Sequence, residues 1–258
     1  MYMGIFVCMY TLKKSLGQHF LRDENICRKM IWELQKSSFK NLVEVGPGGG
    51  ALTKYLIQIH DINFKAVELD QEKVEFLNNT YPTLKDKIIH QSFLDIERPF
   101  DEPFTVIGNF PYNISTQILF KILEWEKCVE CVIGMFQKEV GQRVAAPEGS
   151  KVYGVTSVLI QAFYDVTYLF EVNENSFVPP PKVKSAVIKL LPKKEPIVIK
   201  DRASFFELVK TAFNQRRKTL RNACKNLFSA EHLQQPVFNK RAEQLSVHDF
   251  AQLSFHMK

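Results

Sequence analysis

Leu42-Val43-Glu44-Val45-Gly46-Pro47-Gly48-Gly49-Gly50-Ala51-Leu52-Thr53-Lys54-Tyr55-Leu56 passes from a short β-branched apolar run into a glycine-rich turn, then into apolar residues at helical spacing. Strand, glycine loop and helix in that order open a nucleotide-binding α/β unit. Glycines there let the backbone approach a ligand where a Cβ would collide. A second β-like run, Phe64-Lys65-Ala66-Val67-Glu68, ends on an acid 22 residues after Gly46, where an acceptor for a ribose diol belongs. Gly46, Gly48 and Ala51 also satisfy the dinucleotide fingerprint. This stretch alone therefore leaves nicotinamide, flavin and S-adenosylmethionine cofactors open.

Outward from it the chain alternates. Strand-like runs at 42–45, 64–68, 87–90, 104–108 and 130–136 are interleaved with helical stretches at 51–60, 71–79, 115–124 and 137–145. Such alternation predicts an α/β fold, a mainly parallel sheet covered on both faces. Another helix is expected at about 153–163, and the apolar segments 163–170 and 184–191 suit an antiparallel ending pair. The polar, proline-bearing Leu191-Pro192-Lys193-Lys194-Glu195-Pro196 reads as a linker, and beyond it the pattern is helical. The expected division is an extension at 1–12, a cofactor-binding catalytic domain at 13–192 and a small all-α basic domain at 193–258.

Gly108-Asn109-Phe110-Pro111-Tyr112-Asn113-Ile114-Ser115 narrows the chemistry. Asn109 to Tyr112 supply a side-chain amide, a backbone carbonyl whose direction a proline fixes, and an aromatic face. Those parts suit an exocyclic amine on a flat ring. Adenine's amino nitrogen is a poor nucleophile because its lone pair is delocalised. Accepting both of its N–H groups, one on the Asn109 oxygen and one on the Phe110 carbonyl, draws it towards a tetrahedral geometry. The plain alternative is a strand end followed by a turn. Read with the glycine loop, the box points to methyl transfer onto an amino nitrogen, which selects S-adenosyl-L-methionine among the cofactors left open.

With those two motifs in place the chain resembles the bacterial small-subunit (16S) ribosomal RNA adenine N6,N6-dimethyltransferase family over roughly residues 13–225. Lys13-Lys14-Ser15-Leu16-Gly17-Gln18-His19-Phe20-Leu21 is similar to the family's N-terminal box, which touches the cofactor largely through backbone, so His19 and Leu21 are carried over as cofactor contacts. Glu44, Gly46, Gly48 and Gly50 fall in its cofactor loop, Glu68 in Val67-Glu68-Leu69-Asp70 is its ribose acid, and Asn109 to Ser115 is its catalytic box. Gln137 to Arg143 matches a helix start. Ser176-Phe177-Val178-Pro179-Pro180-Pro181-Lys182-Val183 resembles the loop whose aromatic clamps the target base, so Phe177 is expected opposite Tyr112. The plain alternative for Phe177 is a core aromatic ahead of a stiff turn. One box departs from the family: after Ile88-Ile89-His90 it usually places an Asp accepting from the cofactor's adenine, whereas here Ser92 stands at that position, with Asp95 three residues on. The expectation is weaker cofactor binding rather than lost activity.

The resemblance implies dimethylation of two adjacent adenosines near the 3′ end of small-subunit rRNA, on the RNA or an immature small subunit, in the cytoplasm by a monomer. Two rivals stand beside it. One is the related class that methylates large-subunit rRNA; the other is a non-catalytic assembly factor on a decayed methyltransferase fold, for which Ser92 is the only support.

Charge fits an RNA partner. Residues 193–258 carry 13 Lys+Arg against 6 Asp+Glu, a net of +7, against +6 for all 258 residues, so residues 1–192 carry −1. Lys210, Asn214, Arg217, Arg221 and Lys225 recur at three- and four-residue spacing, which predicts one basic stripe on a helix over about 201–228. Arg216 and Lys218 thicken the cluster in Ala212 to Arg221, which matches a basic helix of the family, and Lys13, Lys14 and Arg22 extend the positive surface. A solvated helix face is the ordinary reading of such a stripe; the near-absence of acids favours phosphate contact. A hydrophobic content of 45% supplies a core, and no apolar run approaches the length of a membrane span. Met1 to Tyr10 lacks a basic n-region and a cleavage site, and reads as a disordered extension with Met9 an alternative start. Cys128-Val129-Glu130-Cys131 is a CxxC without a second pair, so no metal site is expected, and reduced cysteines suit a cytosolic protein.

Overall fold

A computed structural model describes residues 19–258. The extension at 1–12, the choice between Met1 and Met9, and the basic residues Lys13 and Lys14 with the box up to Gln18 lie outside the described residues.

The described chain begins with β1 (Phe20–Leu21) and α1 (Glu24–Gln35), a helix that Asp23 starts by accepting from the Asn25 N–H at 3.0 Å. It buries Cys27, Met30, Ile31 and Leu34 at three- and four-residue spacing. The fingerprint region follows as β2 (Asn41–Val45), α2 (Thr53–Leu56), β3 (Asn63–Glu68) and α3 (Gln71–Thr80). The helix expected at 51–60 is thus a turn and a single helical turn. Asp70 caps α3 by accepting from the Glu72 N–H. Then come β4 (Ile88–His90), β5 (Phe104–Asn109), α4 (Ser115–Glu124), β6 (Val129–Gln137), α5 (Lys138–Val144), α6 (Val155–Gln161), β7 (Tyr164–Val172), β8 (Phe177–Val178) and β9 (Ser185–Pro192).

Seven strands form one sheet in the order β4-β3-β2-β5-β6-β9-β7, with β1 and β8 making a separate antiparallel pair. The pairs β3/β4, β2/β3, β2/β5 and β5/β6 are parallel. At the far end the Lys193 N–H donates to the Phe163 carbonyl, and the Lys138 N–H to the Lys184 carbonyl. Those bonds set the ends of β9 and β6 beside the starts of β7 and β9, so the last strands run antiparallel, as the two apolar segments predicted. The chain winds outward from β2 to β4 and returns on the other side at β5. The switch point between β2 and β5 is where ligands bind in open α/β sheets.

The chain divides into two compact units. One runs through Lys138 and includes Leu169–Val187; the other comprises Glu139–Tyr168 and Ile188–Lys258. This partition differs from a boundary at 192/193, since 139–168 falls with the C-terminal helices. The first unit's core holds Leu42, Ala66, Leu77, Ile107, Ile133 and Val187, all inaccessible to solvent. The second contains α7 (Arg202–Asn214), α8 (Leu220–Ala223), three 3₁₀ turns and α9 (Val247–Ser254), the last closed by a reciprocal Ser246–Asp249 capping box.

The single helix expected over 201–228 is not formed. Helix α7 ends at Asn214, a turn closes with the Lys218 N–H on the Gln215 carbonyl, and Thr219 is extended. Thr219 makes an antiparallel bridge to Arg241, and the Leu220 N–H donates to Lys240. That pairing with 240–241 draws 215–219 out of helical geometry, so Lys210, Arg217, Arg221 and Lys225 do not share one helical stripe.

Candidate active site

Three of the four glycines of the loop that the sequence singled out adopt a conformation that calls for glycine. Gly46, Gly48 and Gly50 have φ of +68°, +54° and +80°, the left-handed region that side chains disfavour. A Cβ on Gly50 would sit 2.8 Å from the Tyr81 ring. The loop hangs from the sheet through the Gly46 N–H, which donates to the Val67 carbonyl at 3.0 Å.

These residues wall a cavity of about 630 Å³ at the C-terminal ends of β2, β3 and β5. His19, Leu21, Glu44, Gly46, Gly48, Gly50, Glu68, Ser92, Asn109, Phe110, Pro111 and Tyr112 all line it. The expected cofactor and catalytic residues therefore converge from five separate stretches of chain, with the exception of Phe177.

Two acids set its electrostatics. Glu68, 8% exposed at the end of β3, accepts from Gly48 on one oxygen at 3.0 Å and from Leu69 and Asp70 on the other at 3.0 and 2.9 Å. Those three N–H groups fix the carboxylate and favour its charged form, yet burial outweighs them and raises its pKa. Glu44, 2% exposed in β2, accepts from the Thr53 hydroxyl at 2.7 Å. Burial above all, with the negative charge of Glu68 as a lesser cause, pushes it up to about 8.

The box at the end of β5 is held by an arrangement invisible in its own four letters. Gly108 and Gly134 face each other across β5 and β6, and ideal Cβ atoms there would lie 2.7 and 2.6 Å from the Phe110 ring. The paired glycines leave space for that ring, which is 1% exposed and packs edge-on against Phe136 at 5.0 Å. The Phe110 N–H donates to the Met135 carbonyl at 3.1 Å. Asn109 donates its side-chain amide N–H to the His19 carbonyl at 3.1 Å. A carbonyl can only accept, so the carboxamide must turn its nitrogen there and its oxygen is the atom left for a ligand N–H. The Tyr112 hydroxyl bonds with Ser185, and burial raises its pKa.

Phe177 requires a correction. It is 1% exposed, lies opposite Leu21 in the β1/β8 pair and belongs to the core beside Val172 and Val187. It does not line the cavity; the core-aromatic alternative describes it. On that loop it is Val178, 43% exposed, that lines the cavity. The ring lying against Tyr112 is that of His19, stacked at 5.5 Å and 30°, with Nδ1 2.8 Å from the Pro179 carbonyl. Alternation along a two-residue strand sends neighbouring side chains to opposite faces, and a resemblance at the level of a loop does not fix which one faces in.

Ser92 lines the cavity as expected, and its hydroxyl accepts from the Leu94 N–H at 3.2 Å. Asp95 is exposed and lies outside the lining, so it does not replace the missing carboxylate. Sequence reading missed Tyr81, Phe76 and Thr80 at the end of α3, and Glu24 and Lys54, which pair across the cavity's edge. Gly50 signals a close neighbour for its loop; nothing in the sequence says that the neighbour is Tyr81. Among the described residues no group of three or more His, Cys, Asp or Glu is placed to hold a metal.

The basic segment is differently built. Arg216 donates to the Lys151 carbonyl at 2.7 Å and approaches Glu243, while Arg221 donates through Nε to the Leu233 carbonyl at 2.9 Å. Both thus carry structural bonds in their unit. Lys210, Arg217, Lys218 and Lys225 are exposed.

The chain has close relatives and structural neighbours. The chain is 49% identical over 247 residues to a protein of Cytophaga hutchinsonii named ribosomal RNA small subunit methyltransferase A, covering 94% of this chain and 95% of that one. It is 42% identical to the protein of that name from Porphyromonas gingivalis, covering 94% and 96%. Among solved structures, a dimethyladenosine transferase from Plasmodium falciparum superposes with a TM-score of 0.77 at 23% identity, covering 93% and 99%. The 23S rRNA methyltransferase ErmE gives 0.64 at 20% identity, covering 90% and 99%. These two likenesses show a shared fold. Residues 9–257 match the family described as ribosomal RNA adenine dimethylase, and the chain belongs to that family.

Proposed function

We propose that this protein uses S-adenosyl-L-methionine to dimethylate the N6 amino groups of two adjacent adenosines near the 3′ end of small-subunit rRNA. The observation that carries the reading is the Asn109 carboxamide, whose nitrogen is committed to the His19 carbonyl and whose oxygen is thereby left to accept from an amine. The names of the relatives above support the small-subunit substrate.

The residues present fit the cofactor. The positive-φ glycines bring backbone close to a ligand, and Glu68 is held rigidly with acceptor capacity left for a ribose diol. The Glu68 carboxylate, its charged form supported by three backbone N–H groups, favours a cation in the cavity. When bound, S-adenosylmethionine supplies an electrophilic methyl group on a sulfonium. The chain's part is to present the amine. Asn109 accepts one N–H on its oxygen and the Phe110 carbonyl accepts the other, which localises the nitrogen lone pair. Tyr112 stacks on the base, its ring fixed through Ser185. After transfer the nitrogen passes its extra proton to water, and the monomethylated base keeps one N–H for a second round. Arg217, Lys218, Lys210 and Lys225 in the helical C-terminal region supply phosphate contacts, and Arg216 and Arg221 brace that surface.

Methyl transfer to small ribosomal subunits lacking the modification tests this, with large subunits and Asn109→Ala in parallel. Dimethyladenosine is expected in small subunits alone, with kcat falling about 10²–10³-fold in the variant, as for loss of one transition-state hydrogen bond. Label in large-subunit RNA, or full activity in Asn109→Ala, overturns it.

A further inference from the structure

Helix α1 turns an unusual face to solvent. Beyond its first residue the exposed positions are Asn25, Arg28, Lys29, Trp32 and Gln35, followed by Lys36, with no acid among them. Of the helix's two acids, Glu24 takes bonds from Lys54 and Tyr55, and Glu33, its side chain 13% exposed, pairs at 2.7 Å with Lys36 of the face itself, so the face keeps the net positive charge of Arg28 and Lys29. Trp32 is 60% exposed, although the Lys36 ammonium lies 3.5 Å from its ring centroid. The chain's other tryptophan, Trp125, packs edge-on against Phe93 and Phe104 in the usual way. An exposed indole among cations is a stacking platform of the kind that holds unpaired bases.

Its position is as informative as its composition. Arg22 and Glu24, just before and at the start of α1, line the active-site cavity, so the helix begins at the rim and runs about 18 Å away from it. A polynucleotide delivering a base into the cavity continues past that rim. We propose that the exposed face of α1 is an RNA-contact surface for the strand flanking the target adenosines, with Trp32 stacking on an unpaired base and Lys29 and Lys36 taking phosphates beside it. The inference rests on the rRNA reading above. Charge selects RNA over a protein partner: the neighbours of Trp32 are cations and a glutamine rather than an apolar surround.

Steady-state methylation of undermodified small ribosomal subunits tests it in wild type, Trp32→Ala, Trp32→Phe and Lys29→Gln/Lys36→Gln. Expected is a rise in KM for subunits of about tenfold in Trp32→Ala, largely restored in Trp32→Phe, which keeps a ring for stacking. The lysine pair should flatten the dependence of log affinity on log salt by a slope of roughly two. Turnover at saturation and S-adenosylmethionine binding by calorimetry should not change. Filter retention of naked small-subunit rRNA reads the same face without turnover. Unchanged KM and retention in Trp32→Ala overturn the proposal, as does self-association of the wild type that Trp32→Ala abolishes. Wild type that retains RNA in a Trp32-dependent way but methylates nothing overturns the functional reading alone.

Discussion

The proposed catalytic box and the proposed RNA-contact segment at 210–225 are built on different kinds of scaffold. Asn109 to Tyr112 leave the end of a central parallel strand, and each member is fixed by a separate contact: Asn109 by the His19 carbonyl, Phe110 by Met135 and the glycine pair, Tyr112 by Ser185. The basic residues sit on a helix end, a turn and a second short helix, several of them with free side chains in solvent. Chemistry that needs an amine placed to within a fraction of an ångström demands the first kind. Contact with a flexible polyanion is served by the second, where net charge matters more than any one geometry.

The comparison predicts that small changes in the box have large effects. Gly108→Ala places a methyl 2.5 Å from the Val45 carbonyl oxygen and 2.7 Å from the Phe110 ring, between two parts that cannot yield. Destabilisation of about 3 kcal/mol is expected from such overpacking, read as a shifted urea midpoint at constant slope, with methyl transfer lost from the protein that remains folded. Normal activity in the folded fraction would mean that Phe110 does not set the geometry.

Glu44 gives the next largest effect. An acid raised to about 8 when folded, from 4.5, stays protonated while the unfolded chain ionises. The unfolded state then binds fewer protons, so stability falls as pH climbs from about 4.5 to about 8. Glu44→Gln removes that loss and still accepts from Thr53. The variant's advantage should grow by roughly 3 kcal/mol between pH 5 and pH 8, with cofactor binding near pH 7 little changed because the wild-type acid is already neutral there. Parallel melting profiles across that range would contradict it.

Ser92→Asp sharpens the cavity side. One carboxylate oxygen can replace the hydroxyl as acceptor for the Leu94 N–H, leaving the other for the cofactor's adenine amine. A charge-assisted bond is stronger than a neutral one by about 1–2 kcal/mol, so calorimetry should show roughly tenfold tighter S-adenosylmethionine binding. No gain would mean that the serine already satisfies the site.

Much of this was legible in the sequence because it rests on local rules. Period-two and period-3.6 patterns place β2 to β6 and helices α3 to α6 within a few residues, and the glycine spacing marks the ligand loop. What was not legible depended on distant partners. Nothing in Ala212 to Lys225 reveals that residues 240–241 draw Thr219 into a bridge and break the helix, and nothing in Ser176 to Pro181 reveals that Leu21 pairs with Phe177 and buries it. Helix α1 did have readable signals, an Asp23 cap and buried positions at 27, 30, 31 and 34. Gly108 and Gly134 are 26 residues apart in sequence, and only parallel register makes them one site.

The smallest effects belong to the basic segment. Arg217 and Lys218 are exposed, so replacing both with glutamine should leave melting within about 0.5 kcal/mol of wild type. Arg216→Gln and Arg221→Gln differ, because each removes a bond to a carbonyl, and should cost about 1 kcal/mol of stability apiece. On small ribosomal subunits Arg217→Gln/Lys218→Gln should raise KM with kcat unchanged and reduce the salt slope by roughly two, one for each phosphate no longer neutralised. The broken helix makes this outcome specific. A single helical stripe would bind as one rigid unit, so Arg217 and Arg221, a turn apart on it, would give matched losses of stability and binding. If the exposed pair contacts RNA as proposed, two short elements separate the roles, with Arg217 and Lys218 acting on binding and Arg216 and Arg221 on the fold. Equal salt slopes in wild type and Arg217→Gln/Lys218→Gln would take this surface out of the RNA interface.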